Sequence, residues 1–264
     1  MLTRKATIYG AIFLLLLSMG TLNAQQSLAR EEVRGPDFYF APLPSFNAMF
    51  SAIDYLEIKD YDLALEKEIF KVEEETFRVA FALGVITADA ILATKGRNKD
   101  MLNEIAVQMI NYAKFIGLSE EILKLADELQ HMIRRDQWDE LMESLEKYKE
   151  QVELSLYETR QYDLFTMMQL GGWTQGLNRT TYLLMNSYQE DKTGIIDQKG
   201  IINSLINNMR NIRSDYLREM DFYHSTVELY EQIRKHIYAF EDVYPPEVIA
   251  ELHEITEKVK VSFR

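Results

Sequence analysis

Hydrophobic positions recur every three or four residues over most of the chain. From Ser45 onward this spacing persists, and no proline interrupts it before Pro245. A period near 3.6 residues is typical of amphipathic α-helices, whereas strands alternate between hydrophobic and polar at every second residue. The pattern therefore predicts an all-α fold in which residues 45–264 form a single multi-helix bundle.

Polar and glycine-containing breaks divide this bundle into about eight predicted helices. The breaks fall at residues 59–60, 95–98, 117–119, 135–136, 160–161, 189–200 and 243–246. Ser119 and Asp136 precede predicted helices at positions where a side-chain oxygen can cap the first turn. Pro246 suits a first turn, because no backbone donor is needed there. One long helix is predicted from about Asp215 to Phe240.

The first 24 residues have the layout of a secretory signal peptide. Arg4 and Lys5 precede an apolar run from Ile8 to Met19, and the small residue Ala24 ends the segment. The run is shorter than the roughly 20 apolar residues that a membrane-spanning helix needs. We therefore expect export to the periplasm, with an uncleaved N-terminal anchor as the alternative. Residues 25–44 mix prolines with aromatic residues and so predict an extended strap.

Composition and charge exclude several classes of function. The 264-residue chain has no cysteine, which rules out disulfides, Cys-ligated zinc, iron–sulfur clusters and thiol nucleophiles. Its net charge of −13 opposes nucleic-acid binding. Without the leader, 27 basic and 42 acidic residues remain, and the net charge of −15 disfavours membrane insertion or contact with anionic lipid. The common hydrolase, nucleotide-binding and zinc-protease motifs are absent from the sequence, which favours a non-enzymatic role without a cofactor.

A short motif occurs twice in the helical region. Leu83-Gly84-Val85-Ile86-Thr87 and Leu170-Gly171-Gly172-Trp173-Thr174 share Leu-Gly-x-apolar-Thr at an offset of 87 residues. This repetition indicates two pseudo-repeated halves, residues 45–160 and 161–264, and chance similarity between two apolar helices is the alternative.

Glycines inside the repeated helices have two interpretations. Glycine costs about 1 kcal/mol relative to alanine in a helix interior, so it needs a compensating role. One role is a tight crossing of two central helices, and the other is a pocket that the missing side chains leave open. The second interpretation predicts that a small ligand or a protein partner binds here. The predicted ligand-binding residues are Gly84, Thr87, Asp89, Trp173, Thr174, Gln175, Asn178 and Arg179.

Asp89 and Arg179 are the charged members of this predicted site. Buried charges are costly unless they are paired, so an ion pair between the two helices is one hypothesis. The alternative is that each side chain reaches solvent at a helix end.

Two acid–histidine pairs raise the alternative of a di-metal enzyme. Glu128 and His131, and likewise Asp221 and His224, are spaced so that both groups lie on one helix face. In carboxylate-bridged di-iron or di-manganese bundles, two such pairs face each other across the core. Solvated helix faces would produce the same spacing.

A third hypothesis is a structural subunit that forms a homo-oligomer. Tyr216, Tyr223 and Tyr230 recur every seven residues and would form a stripe along one long helix. A stripe of this kind usually packs in a core or a helix–helix seam. If exposed, it would be a contact surface, because tyrosine joins an apolar ring to a polar tip.

Overall fold

The computed structural model describes residues 54–57 and 61–264, all of which belong to one compact unit. This part of the chain contains α-helices and two short 3₁₀ segments, Tyr61–Ala64 and Glu190–Ile196, and no strand, so the all-α prediction is confirmed. The α-helices are α1 (Thr76–Lys95), α2 (Lys99–Phe115), α3 (Glu120–Arg134), α4 (Trp138–Glu158), α5 (Tyr162–Asn186), α6 (Lys199–Arg210), α7 (Asp215–Arg218), α8 (Asp221–Tyr238) and α9 (Pro246–Ser262). The predicted signal peptide and strap, residues 1–44, lie outside the described residues.

Most predicted breaks coincide with observed helix ends. Ser119 immediately precedes α3 and Pro246 begins α9, as predicted, although the Ser119 side chain makes no capping hydrogen bond. Asp136 lies one residue further from its helix than predicted, because Gln137 precedes α4. Its carboxylate instead pairs with Lys99, with an Nζ–Oδ1 distance of 3.1 Å.

The helix predicted between the breaks at residues 59–60 and 95–98 does not include residues 65–75, which have no regular secondary structure. Phe70 is buried in the core beside Phe81, with ring centroids 6.1 Å apart. Glu66 points inward and forms an ion pair with Arg179. The three-to-four-residue spacing of apolar positions is therefore satisfied by an irregular segment whose side chains face the core.

The long helix predicted from Asp215 to Phe240 is interrupted after the four-residue α7. The Asp163 carboxylate at the start of α5 accepts hydrogen bonds from the backbone amides of Arg213 (3.1 Å) and Ser214 (2.8 Å). The Ser214 hydroxyl caps α7 by accepting from the amide of Leu217. These bonds fix the chain at the start of α7, and the extended backbone of Met220 (φ −76°, ψ 135°) then separates α7 from α8.

Helices α1 and α5 form the most extensive interhelical contact, and their backbones touch. A Cβ atom placed on Gly84 would lie 2.0 Å from the carbonyl oxygen of Met168, and one on Gly171 would lie 1.9 Å from that of Phe81. Real Cβ atoms do not approach backbone oxygens this closely. The tight-crossing interpretation is thus confirmed at both glycines, and backbone fills the space that the pocket interpretation required to be open.

The crossing is reciprocal. Gly84 meets Met168 while Gly171 meets Phe81, and each residue of α5 in these two contacts is offset by 87 from its counterpart in α1. Contacts in which equivalent positions exchange partners are the mark of a two-fold relationship. The repeated motif therefore coincides with a locally two-fold helix pair.

The helices before and after the crossing share one pattern of neighbours. In the first half, α1 packs on α2, α2 on α3, α3 on α4, and α4 returns to α1. In the second half, α5 packs on α6, α6 on α8, α8 on α9, and α9 returns to α5. Each half is thus a ring of four helices, which is the arrangement expected if the two halves arose by duplication.

Helix α1 is the most apolar element of the fold. Among the described helices it alone is long and apolar enough to cross a membrane, and 83% of its apolar stretch is buried inside the protein. Burial of this kind is what the central helix of a folded domain shows.

Replacing Gly171 with alanine is expected to destabilise the protein. The added methyl group would meet the Phe81 backbone, and overpacking of this kind costs about 1–3 kcal/mol or more. Gly200→Ala is the matched control, because a Cβ there meets nothing within 4 Å. Urea unfolding followed by circular dichroism would measure both changes, and equal stability of the two variants would contradict the crossing.

Candidate functional site

The predicted ligand-binding residues lie inside the protein. Gly84, Thr87 and Asp89 are on α1, and the remaining five are on α5. Gly84, Asp89, Gln175 and Arg179 make contacts between α1 and α5, whereas Trp173, Thr174 and Asn178 contact Gln198, Tyr230 and α9. All eight residues are buried. They do not form an exposed surface, and their predicted ligand-binding role stays a prediction.

The residues nearest the crossing are held by internal hydrogen bonds. Trp173 donates from Nε1 to Oε1 of Gln198 at 2.7 Å, and its ring lies 5.6 Å from that of Tyr230. The Tyr230 hydroxyl donates to the carbonyl of Leu170 (3.0 Å), and the same Tyr230 hydroxyl lies 2.7 Å from the Thr174 hydroxyl. Buried polar groups of this kind need partners, and here the fold supplies them.

Five charged side chains form what we call the ionic cluster: Glu66, Asp89, Arg179, Glu257 and Lys260. Arg179 places Nη2 2.6 Å from Glu66 Oε1 and Nε 3.4 Å from Asp89 Oδ1. Lys260 contacts both Glu66 and Glu257, the latter at 3.0 Å. The predicted Asp89–Arg179 pair is therefore present. The cluster joins the 65–75 segment, α1, α5 and α9.

Two amides extend the ionic cluster along α5. Gln175 donates from Nε2 to both carboxylate oxygens of Asp89, at 2.7 and 2.8 Å. Asn178 donates to Glu257 Oε1 at 2.7 Å and to the Thr256 hydroxyl at 3.0 Å, and its Oδ1 accepts from Arg179. The charges are thus linked to one another by hydrogen bonds, which is the condition under which buried charges are tolerated.

The surroundings move the pKa values of the cluster carboxyls in opposite directions. Burial alone would raise the pKa of Glu66, but the neighbouring Arg179 and Lys260 charges outweigh it and lower that pKa to about 2. For Asp89, burial outweighs the attraction of Arg179, and the pKa is raised. Burial also lowers the pKa of His253, which lies beside Asn178.

One side of the ionic cluster reaches solvent. The side chains of Arg179 and Lys260 are only 5% and 1% exposed, whereas those of Glu66 and Glu257 are 29% and 41% exposed. Arg264 lies at this edge, with Nη2 3.7 Å from Glu66 Oε2. The cations are therefore internal, and the carboxylates form most of the solvent-facing edge.

The two acid–histidine pairs do not form the shared site that a di-metal centre requires. Glu128 and His131 are exposed on α3, and Asp221 and His224 are exposed on α8. His131 Nδ1 lies 2.9 Å from Arg134 Nη2. Among the described residues no group of three or more His, Asp or Glu side chains is arranged to hold a metal ion. The spacing that suggested ligands belongs to solvated helix faces.

The tyrosine stripe is not continuous. Tyr216 lies on α7, is 60% exposed and packs beside Phe77, with ring centroids 6.4 Å apart. Tyr223, on α8, is partly buried and donates to the carbonyl of Met209, and Tyr230 is fully buried. The turn between α7 and α8 separates the first tyrosine from the other two, so the predicted stripe is wrong.

An exposed groove between α6 and α8 has more of the features of a binding site. It encloses about 580 Å³ and is lined by Asn203, Glu231, Arg234, Lys235 and Tyr238. The four residues from α8 are spaced i, i+3, i+4 and i+7, which places them on one helix face. We call this feature the α6–α8 groove.

Two contacts fix the register of the groove walls. Asn203 donates to the Tyr238 hydroxyl, and Arg210 Nη2 lies 2.8 Å from Glu231 Oε1. Arg210 is seven residues after Asn203 on α6, and its partner Glu231 is seven residues before Tyr238 on α8. The two helices therefore run antiparallel. Arg234 also pairs with Glu231.

The tyrosines that recur every seven residues do not point to the α6–α8 groove. Tyr238 is eight residues after Tyr230 and lies outside that series. The available signal was the run of polar residues ending in a tyrosine on one face of α8. Its partner Asn203 could not have been assigned, since the pairing of α6 with α8 is not written in local sequence.

Arg179→Ala is expected to destabilise the fold by about 3–5 kcal/mol, because it leaves the buried Asp89 without its cation and takes away one of the cations that contact Glu66. Arg135→Ala, at an exposed position after α3, is the control and should change stability by less than about 0.5 kcal/mol. Chemical denaturation of the three proteins would measure the free energies of unfolding. A fully stable Arg179→Ala protein would show that the ionic cluster does not support the fold.

The contribution of Glu66 to stability is expected to depend on pH. Because its pKa is lower in the folded protein, the ionised form stabilises the fold above its ordinary pKa of 4.5, and this effect is lost as the pH falls towards 2. The difference in unfolding free energy between the wild type and Glu66→Gln should therefore be largest at about pH 7 and clearly reduced at about pH 3, and it should vanish only below about pH 2. Urea titrations at both pH values would test this, and a difference independent of pH would contradict it.

Comparison with known proteins assigns no family to this chain. No family model matches it, and neither a curated protein nor a solved structure does. A functional proposal therefore depends on the chemistry that the described residues present.

Proposed function

We propose that the protein is an exported, non-catalytic helical protein that binds a small ligand or a protein partner in the periplasm. The leader-like sequence of the first 24 residues supports export. The single observation that supports binding is the α6–α8 groove, where an exposed tyrosine ring and several hydrogen-bonding side chains line one concave surface.

The groove exposes side chains that a ligand could contact, whereas the cations of the ionic cluster are buried. Tyr238 is 49% exposed, and Lys235 is also exposed. In the ionic cluster, by contrast, Arg179 is surrounded by Glu66 and Asp89. A ligand anion at Arg179 would have to compete with two internal carboxylates, whereas Lys235 in the groove is not paired with a carboxylate of the described residues.

The helices that form the groove are packed into the rest of the fold, which favours recognition by a preformed surface. Helices α6 and α8 pack against each other within the second four-helix ring, and α5 of this ring packs against α1. Binding to a preformed site costs less conformational entropy than binding to a site that must be ordered. A rigid support of this kind suits a binding or scaffolding role.

The solvent-facing edge of the ionic cluster is the second candidate site. Glu257 and Arg264 reach solvent there, next to the buried Lys260. A partner anion could bind at this edge only by displacing Glu66. We therefore rank this edge as a weaker candidate binding site than the α6–α8 groove.

Photo-crosslinking in the native compartment would test the proposed function. A photoreactive phenylalanine analogue at Tyr238 should capture one discrete partner or ligand, because that ring lines the groove. The same analogue at Tyr216, which is exposed but lies on α7, is the matched control. We expect an adduct at position 238 and none at position 216.

Four results would count against the proposal. Equal labelling at positions 238 and 216 would mean that partners do not bind the groove in preference to other exposed surfaces. No labelling at position 238 would mean that the groove binds nothing under native conditions. An adduct consisting only of two copies of this chain would identify the groove as a subunit interface instead. Retention of the protein in the cytoplasm would contradict export.

A further inference from the structure

Charge is distributed unusually around the α6–α8 groove. The chain as a whole carries −13, yet the residues that line the groove include two cations, Arg234 and Lys235, and one carboxylate, Glu231. Glu231 is bound by Arg234 and by Arg210, which lies beside the lining, through Oε2 and Oε1 respectively. The lining therefore carries one more positive than negative charge within an acidic protein.

Lys235 is the cation that remains unengaged. Within the described residues its ammonium group has no ion pair or hydrogen bond, whereas Arg234 is bound to Glu231. Lys235 lies one residue from Arg234 and one helical turn before Tyr238, on the same face of α8. An anionic group entering the groove would thus meet Lys235 beside the exposed tyrosine ring.

The remaining lining residues supply both kinds of hydrogen-bonding group. The Asn203 amide can donate and accept, and the Glu231 carboxylate can only accept. A ligand that has many hydroxyl groups can use both, because each hydroxyl is donor and acceptor at once. The Tyr238 ring adds a flat apolar surface with a polar tip, which suits a molecule that is apolar on one face and polar at its edges.

We infer that the α6–α8 groove binds an acidic carbohydrate, a chain of hexuronate sugars, with a sugar carboxylate at Lys235 and a sugar ring against Tyr238. Sugar hydroxyls would bond to Asn203 and Glu231. This inference rests on the proposed function and names its ligand class. An acidic peptide is less suited, because its carboxylates could pair with Lys235 but it offers no sugar ring to lie against Tyr238.

Titration calorimetry of the purified protein with tetragalacturonate would test the inference. Binding should weaken as salt is added, since it includes a charge pair at a solvent-exposed site. A neutral tetrasaccharide of glucose and a tetraglutamate peptide are the comparison ligands, and both should bind at least about tenfold more weakly, a difference of about 1.4 kcal/mol.

Matched variants separate a groove site from general charge attraction. Lys235→Gln and Tyr238→Ala should each weaken tetragalacturonate binding by about tenfold or more. Lys258→Gln, an exposed lysine on α9, and Tyr216→Ala are the controls and should bind like the wild type. Circular dichroism would verify that all four proteins are folded.

Several results would overturn the inference. Tetraglutamate binding as tight as that of tetragalacturonate would identify an acidic-peptide site, and equal binding of the neutral sugar would remove the role of Lys235. Absence of tetragalacturonate binding, or equal effects of control and groove variants, would also overturn it. If the photoreactive group at Tyr238 nevertheless captures a discrete partner, the binding function stands and only the ligand class fails.

Discussion

The direct contact between the backbones of α1 and α5 is the constraint on which the rest of the structure depends. Gly84 and Gly171 allow carbonyl groups of the opposite helix to occupy the places where their own Cβ atoms would be. Since each four-helix ring contributes one of these helices, the crossing is where the two halves meet. The close approach also brings the polar residues at the C-terminal ends of both helices within hydrogen-bonding distance, and the ionic cluster forms there.

The ionic cluster illustrates how chemistry that suggests a binding site can serve the fold. Arg179 and Lys260 are almost completely buried, and their charges are balanced by carboxylates from three other parts of the chain. A buried pair adds little stability compared with apolar packing, but removing one member is costly, so such pairs also fix which partners can meet. Among the described residues, the α6–α8 groove is the exposed concave surface on which polar side chains converge.

The sequence was sufficient for the fold class, for most helix ends and for the Asp89–Arg179 pair, because these depend on local periodicity and on the cost of burying charge. It did not predict that residues 65–75 would be irregular, since their inward-facing positions have helical spacing and the partner of Glu66 is 113 residues away. It also joined α7 to α8, because the local pattern does not mark the extended backbone at Met220 that separates them. The groove was missed because its lining includes Asn203 of α6, and the pairing of α6 with α8 is not written in local sequence.

The central claim is that residues 173–179 of α5 belong to a closed core shared by both halves. Native-state hydrogen exchange followed by mass spectrometry tests it most directly, because amides in a cooperative core exchange only through global unfolding. The account predicts that 173–179 and the α1 segment around Gly84 exchange equally slowly, with one shared free energy of opening. Faster exchange of 173–179, or separate opening of the two halves, would contradict it.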